Sequence, residues 1–280
     1  MEEDYRVVMF EDPDSFKKLE LLQTEIWGRN ETVPYHMLIA FQRMGGVVLV
    51  AVDRLDRPVG MLYGFIAMKN GEIFHYLHLC GVAPDKRAQG IATALFMRLR
   101  EYLLENGVEV ARWLLDPLQI PEARLSIHRL GAIGKRYDEN FYGSMRDPYN
   151  RGLDSDRLEI EWRLNSRRVL NRISEATELD VEQLLNEGAR KMISTIKEGL
   201  IYKILNYKLD LRADKILVEV PSDIGFMKKV SISAAVEWRE VTRKIFKKYL
   251  SNGYLVTDLI KEGEPHPRYY YLLEKGVSED

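Results

Sequence analysis

Apolar positions along this chain switch repeatedly between two periods, and the switches mark its elements. Residues 5–10 form a short strand-like run. Pro13 and Asp14 then open a stretch in which Phe16, Leu19, Leu22 and Ile26 fall on one helical face, closed by Trp27-Gly28. Thr32-Val33-Pro34 starts a second short helix carrying Met37, Leu38 and Phe41. Gly45-Gly46 breaks it. Residues 47–52, 59–68 and 73–82 read as three strands of an antiparallel meander, with a tight Asn70-Gly71 hairpin between the last two. Ile91, Leu95, Leu99 and Leu103 then recur at four-residue spacing as a buried helix face, and Asn106-Gly107 suits a left-handed C-terminal cap. Residues 108–115 form a further strand, parallel to its predecessor because a helix separates the two. A helix over 121–130 ends at Gly131, and strands follow over 135–142 and 157–164. Between them, residues 151–156 are turn formers, read either as a plain connection or as an ordered loop near a site.

Beyond Ser166 the pattern predicts a long helical stretch. Thr177 is its cap, and Leu184, Leu185, Met192, Ile196, Leu200 and Ile204 form its apolar positions, interrupted by Gly188 and Gly199. A strand over Lys215–Val220, a helix over 230–250 and strands over 254–260 and 268–273 complete the chain. Val220-Pro221-Ser222-Asp223, a helix, Asn252-Gly253 and a strand echo the earlier order Val82-Ala83-Pro84-Asp85, helix, Asn106-Gly107, strand. The echo reads as a degenerate half-repeat or as coincidence between two common α/β units.

Composition adds bounds. With 280 residues, 46% hydrophobic and 30% charged, the chain is long enough for one large or two modest globular domains. The formal charge of −2, from 41 basic and 43 acidic residues, gives no argument for nucleic acid or an acidic membrane as a partner. No apolar run approaches membrane-spanning length. Cys80 is the only cysteine, so no intrachain disulfide forms, and the acidic Met1-Glu2-Glu3-Asp4 carries no apolar signal region. A cytoplasmic protein is expected.

One stretch carries candidate chemistry. A strand-like run ends at Val82-Ala83-Pro84-Asp85, and a basic, glycine-containing loop, Lys86-Arg87-Ala88-Gln89-Gly90, leads directly into the helix at Ile91. Backbone amides gathered at a helix start lack intrahelical partners, and the helix dipole adds positive potential, so such a junction suits an anion. Gly90 lets the backbone approach a bulky phosphate. An ordinary strand–turn–helix join is the alternative.

Arg87-Ala88-Gln89-Gly90-Ile91-Ala92 fits R/Q-x-x-G-x-G/A, and Val82-Ala83-Pro84-Asp85 fits the V-x-P-(D/E) lead-in, of the GNAT acyltransferase superfamily. With Leu130-Gly131-Ala132 and the element order, the resemblance covers roughly residues 1–165. LDPLQ at 115–119 and Asn140-Phe141-Tyr142-Gly143 also resemble a long GNAT subgroup with an extra C-terminal region. The resemblance implies an α/β (α+β type) GNAT fold, a mixed, twisted central sheet flanked by helices. It implies a GNAT domain over 1–165 and an additional C-terminal α/β domain over 166–280 packed on it. It further implies acetyl-CoA in the cleft where strands four and five splay, and direct acetyl transfer to an amine of a small molecule or peptide.

The residues that match the family's cofactor contacts are Cys80 and Val82 on the strand and Arg87, Ala88, Gln89, Gly90, Ile91, Ala92 and Thr93 at the loop and helix start. No metal is expected, and a homodimer is left open. His78 stands where the related arylalkylamine N-acetyltransferases have a histidine thought to relay the proton, and histidine suits that work near neutral pH. Tyr76 stands where those enzymes have another histidine. By strand alternation Tyr76, His78, Cys80 and Val82 share a face, with His75 opposite, which argues against a shared metal. Cys80 as a nucleophile has no evident activating partner beyond His78. The family's usual general-acid tyrosine is missing, because its position is Ile127. Ser126, His128, Tyr137 or Tyr142 could replace it, or the thiolate leaves unassisted, and Tyr142 completes the candidate site. Tyr142 or Tyr149 would also line an acceptor pocket. A non-catalytic acyl-CoA-binding or sensing protein is the alternative function.

Overall fold

Tyr5–Val8 forms β1, and Asp12 then starts α1 (Pro13–Trp27) by accepting a hydrogen bond from the Ser15 amide at 2.9 Å. The structure, a computed structural model, describes residues 4–175 and 177–278. Met1, Glu2 and Glu3, read above as lacking a signal region, lie outside the described residues. Two compact units are distinguished, Met1–Trp113 and Leu114–Asp280.

In the first unit, α1 is followed by α2 (Tyr35–Arg43), then β2 (Val47–Asp53), β3 (Pro58–Lys69) and β4 (Glu72–Val82). Strands β1 to β4 pair antiparallel in sequence order. Helix α3 (Ile91–Glu105) returns the chain to β5 (Val110–Leu115), parallel to β4 with His75 opposite Ala111 and Tyr76 opposite Arg112. Phe16, Leu19, Leu22 and Ile26 of α1 and Leu38 of α2 pack with Val48, Val50, Met61 and Tyr63 on one face of this sheet. Ile91 and Leu95 of α3 lie against Gly60, where a side chain would collide with them. The amphipathic readings of α1 and α3 therefore hold. Each buries the face that its spacing marked.

The second unit continues with α4 (Ile120–Ala123), which runs into a π-helical turn, Arg124–Arg129, with Leu130 N bonded to Leu125 O. Strands β6 (Ile133–Asp138) and β7 (Arg157–Arg163) are antiparallel. Helices α5 (Arg167–Ser174) and α6 (Val181–Asn186) follow, capped by Ser166 and Asp180. Next come β8 (Arg190–Lys191), β9 (Ile193–Glu198), β10 (Ile201–Tyr207) and β11 (Lys215–Val220). Helices α7 (Ile224–Val230) and α8 (Ile232–Ser251) lead to β12 (Tyr254–Glu262) and β13 (Arg268–Lys275). The sheet runs β7-β6-β12-β13-β11-β8, and β9 and β10 form a separate hairpin.

Two findings depart from the sequence reading. The long helix expected over Leu184 to Ile204 is a short helix followed by the β9–β10 hairpin. Met192, Ile196, Leu200 and Ile204 are spaced by four, which fits one helical face and also two strand repeats, so the spacing could not decide. Ile196 and Leu200 are 52% and 78% exposed, so no buried helix face exists there. The tail strands also join β6 and β7 in one sheet. Strand β6 is sandwiched between β7 and the tail strand β12, with Gly134 opposite Val256. A side chain at Gly134 would meet Val256 Cβ and Leu158 at 2.9 Å, so glycine permits the close approach that joins tail and earlier strands.

Candidate functional site

The junction of β4 with α3 has the geometry of an open helix start. Gly90 is the N-cap of α3 in the left-handed region (φ 83°, ψ −5°), and no side chain accepts from the first-turn amides. Ala88 is also left-handed, with φ 61°. A turn built from such residues is the kind in which successive N–H groups form an anion-binding concavity. Arg87 Nε donates to Val82 O at 3.3 Å and Gln89 Nε2 to Asp85 O at 3.4 Å, so side chains tie the loop back to the strand end. The loop is exposed from Arg87 to Gly90, whereas Ile91 is buried and anchors the helix. These features fit a pyrophosphate-bearing group held by the amides of residues 87–93.

Strand β4 is not regular. Leu77 lies opposite Gly64 and Leu79 opposite Tyr63, so His78 is the extra residue of a β-bulge. The bulge changes which side chains share a face. The His78 ring lies 5.3 Å from the Tyr63 ring and 6.1 Å from the Tyr76 ring, on the face of Tyr63 and Leu79 that packs with α1. Cys80 pairs with Leu62, one position out of phase with Tyr63, and so belongs to the opposite face with Val82. Tyr76 and His78 are brought together as expected. Cys80 and Val82 are not on their face, because the bulge inserts one residue into the alternation. That also weakens any partnership between His78 and the Cys80 thiol.

His78 is exposed at its surface, yet the protein around its ring lowers its pKa by desolvation. His75 is different. It is fully buried, neither ring nitrogen has a well-formed hydrogen bond among the described residues, and burial pushes its pKa down to about 4, with the Gly64 backbone opposing. It is a neutral core histidine.

The replacements considered for the missing general acid lie in the second unit. Ser126 and Ile127 are buried in the π-helical turn. His128 is held at 2.9 Å from Asp258 and 3.2 Å from Glu178 and is consumed in that cluster. Tyr137 is buried, donates to Asp156 at 2.7 Å, and has its pKa raised, by burial first. Tyr142 is 42% exposed in the loop between β6 and β7, with its amide on Ser155 Oγ and the Arg157 guanidinium 5.1 Å from its ring centroid. Tyr149 lies in the same loop, its amide on Asp147 Oδ1 at 2.9 Å.

Two charged groups escaped the sequence reading. Arg239, on the inward face of α8, is 2% exposed and makes a buried pair with Asp116 at 2.7 Å. Burial opposes its charge most, but Asp116, Tyr137 and Asp156 together outweigh that and raise its pKa. The only sequence signal was its place beside Trp238 in a helix otherwise read as apolar on that side. Glu122 of α4 has an open residue surface, but protein crowds its carboxyl. Desolvation pushes its pKa up to about 7, Arg157 opposing and Asp116 adding.

The model of the Acetyltransferase (GNAT) family matches residues 14–125. No curated protein sequence matches the chain. Solved structures similar to it include the NatC complex bound to Gag peptide and CoA, at 12% identity and TM-score 0.46, covering 57% of this chain and 96% of that one. The ribosomal-protein-S18-alanine N-acetyltransferase from Escherichia coli is 14% identical with TM-score 0.44, covering 58% and 95%. Arabidopsis thaliana Naa50 in complex with the bisubstrate analogue CoA-Ac-MVNAL is 14% identical with TM-score 0.46, covering 56% and 97%. The matched segment contains the meander, the bulged strand and the open start of α3, so residues 14–125 carry a GNAT-family acetyltransferase domain.

Proposed function

We propose that the chain is an acetyl-CoA-dependent acyltransferase that passes the acetyl group directly to an amine of a small molecule or peptide. The observation that carries this reading is the uncapped, left-handed start of α3 inside the segment matched by the family. Acetyl-CoA supplies an activated acyl thioester. The amides of Arg87, Ala88, Gln89, Gly90, Ile91, Ala92 and Thr93 hold the pyrophosphate, with Arg87 as a charged donor nearby. The backbone at Cys80 and Val82, beyond the stretch of β4 registered on β5, lies along the pantetheine arm. His78 takes the proton that the amine loses as it forms the new C–N bond, and Tyr142 returns a proton to the departing sulfur.

His78 must be neutral to act as base. Its lowered pKa keeps it so at pH 7, and places the acid limb of kcat/KM below the ordinary histidine value of about 6.5. His78→Ala should lower kcat by about 10² to 10⁴ while CoA affinity, measured by calorimetry, stays within twofold (about 0.4 kcal/mol). Unchanged turnover would remove His78 from the mechanism. The alternative, a non-catalytic acyl-CoA-binding protein, is favoured by one observation: Ile127, at the family's usual tyrosine position, is fully buried. Tight CoA binding without acetyl-CoA consumption across a panel of amines would decide for it.

A further inference from the structure

Helices α5 and α6 and strands β11, β12 and β13 of the second unit enclose a pocket of ≈ 220 Å³. That is roughly the liquid volume of seven waters. Most of its charged groups are engaged within the protein. Arg172 donates to Asp258, Lys215 Nζ donates to Glu187 at 2.7 Å, and Asp180 Oδ1 accepts from the Gln183 amide at 2.7 Å. Arg168 and Glu274 are different. Each lines the pocket, is half-buried, and makes no ion pair among the described residues.

Both are held by one residue. Strand β12 carries a β-bulge between Val256 and Asp258, where Thr257 is the extra residue. Arg168 Nη2 donates to the Thr257 carbonyl, and its Nε donates to Gly131 O at 2.9 Å. Thr257 Oγ1 donates in turn to Glu274 Oε2 at 2.6 Å. These bonds leave one polar atom spare on each side chain. Arg168 Nη1 and Glu274 Oε1 keep accessible surface and have no partner among the described residues. Burial, and then Arg172, lower the Arg168 pKa, and Asp258 and Glu274 offset them only in part. The bulge thus fixes an unpaired cation and an unpaired anion in one pocket without letting them meet.

We infer that this pocket binds a small zwitterion of the amino-acid type, its carboxylate on Arg168 and its ammonium on Glu274. The charge arrangement selects the class. A guanidinium N–H is a strong donor to a carboxylate, and Glu274 supplies the counter-charge for an ammonium group. A multiply charged phosphate would meet Asp180, Glu187, Asp258 and Glu274, whereas a bare cation would meet Arg168, Arg172 and Lys215. A zwitterion adds no net charge. Leu184 and Leu272 give a short side chain an apolar wall. The pocket shares no residue with the amides assigned to CoA, and the inference does not depend on acetyl transfer.

The test is NMR titration of the full chain with glycine, L-alanine and L-serine, following Arg168 Nε–H and the amides of Gln183 and Leu184. Acetate and ethylamine serve as single-charge controls. The zwitterions should shift these signals saturably at millimolar concentration, and more tightly than either control. Glu274→Gln keeps an acceptor for Thr257 Oγ1 and removes only the charge. It should weaken L-alanine binding by about fivefold, the upper worth of a partly exposed ion pair, without weakening acetate. No saturable shift, acetate or ethylamine binding as tightly as L-alanine, or undiminished L-alanine binding in Glu274→Gln would each overturn the inference.

Discussion

The chain builds a strand–helix–strand unit twice, and the two differ at the helix start. In the first, β4 ends at Val82, a left-handed loop follows, and Gly90 caps α3 without any side-chain bond. In the second, β11 ends at Val220, Asp223 accepts from the Phe226 amide at 2.8 Å, and Ser231 accepts from the Ala234 amide at 3.2 Å. One helix start has no side-chain cap bond. The other is capped by the protein's own side chains, Asp223 and Ser231. The strands differ as well. β4 lies beside its parallel partner β5, whereas β13 stands between β11 and β12. The helix faces differ again: α3 buries Ile91, Leu95, Leu99 and Leu103, while α8 also buries Arg239 and Thr242.

The largest expected effect falls on the charged face of α8. Asp116→Ala leaves the Arg239 guanidinium buried without its counter-charge, and should lower stability by about 3–5 kcal/mol in urea unfolding. A comparable truncation in α3, Leu99→Ala, removes only apolar contacts, about 2–5 kcal/mol. If Asp116→Ala costs under about 1 kcal/mol, the pair is not buried in solution.

Strand β4 gives a pH dependence. His75 of β4 is buried when folded, with a pKa of about 4 against an unfolded value of about 6.5. Its folded form binds fewer protons than the unfolded form between these values, so stability falls as pH drops from about 6.5 to about 4. The loss is about 3 kcal/mol. His75→Leu should flatten that limb of the urea midpoint against pH.

Gly90→Val would put a branched side chain at φ 83°, beside the amides proposed to hold a diphosphate. CoA affinity should fall roughly a hundredfold, about 2.7 kcal/mol, in calorimetry. Undiminished binding would remove the loop as the cofactor site. Smallest are the caps of the second unit. Asp223→Ala and Ser231→Ala should each lower stability by about 1 kcal/mol and leave CoA affinity unchanged. If either change created CoA binding, the two helix starts would be functionally equivalent after all.

Most elements of the first unit were legible because each buries a single face that the spacing exposes. The tail was less so. Spacing by four could not separate a helix from a hairpin over residues 192–204, and the short α7 ahead of the expected helix over 230–250, which is α8, was not recognised. The candidate loop at Arg87–Ala92 was legible because its chemistry is local, residing in backbone amides at a junction that adjacent residues create. His78 was identifiable as a residue but not in its setting, since a bulge depends on pairing with Tyr63 and Gly64.

The sequence alone determined the order of the meander, the amphipathic helices α1 and α3, and the anion-suited junction between β4 and α3. Each rests on interactions between near neighbours. Only the tertiary structure decided that His78 and Cys80 face opposite ways and that β12 joins β6. It alone showed that Arg239 and Asp116 form a buried pair with two guanidinium donors to spare. Those depend on residues far apart in the chain, Asp116 and Arg239 above all, whose burial no local pattern encodes.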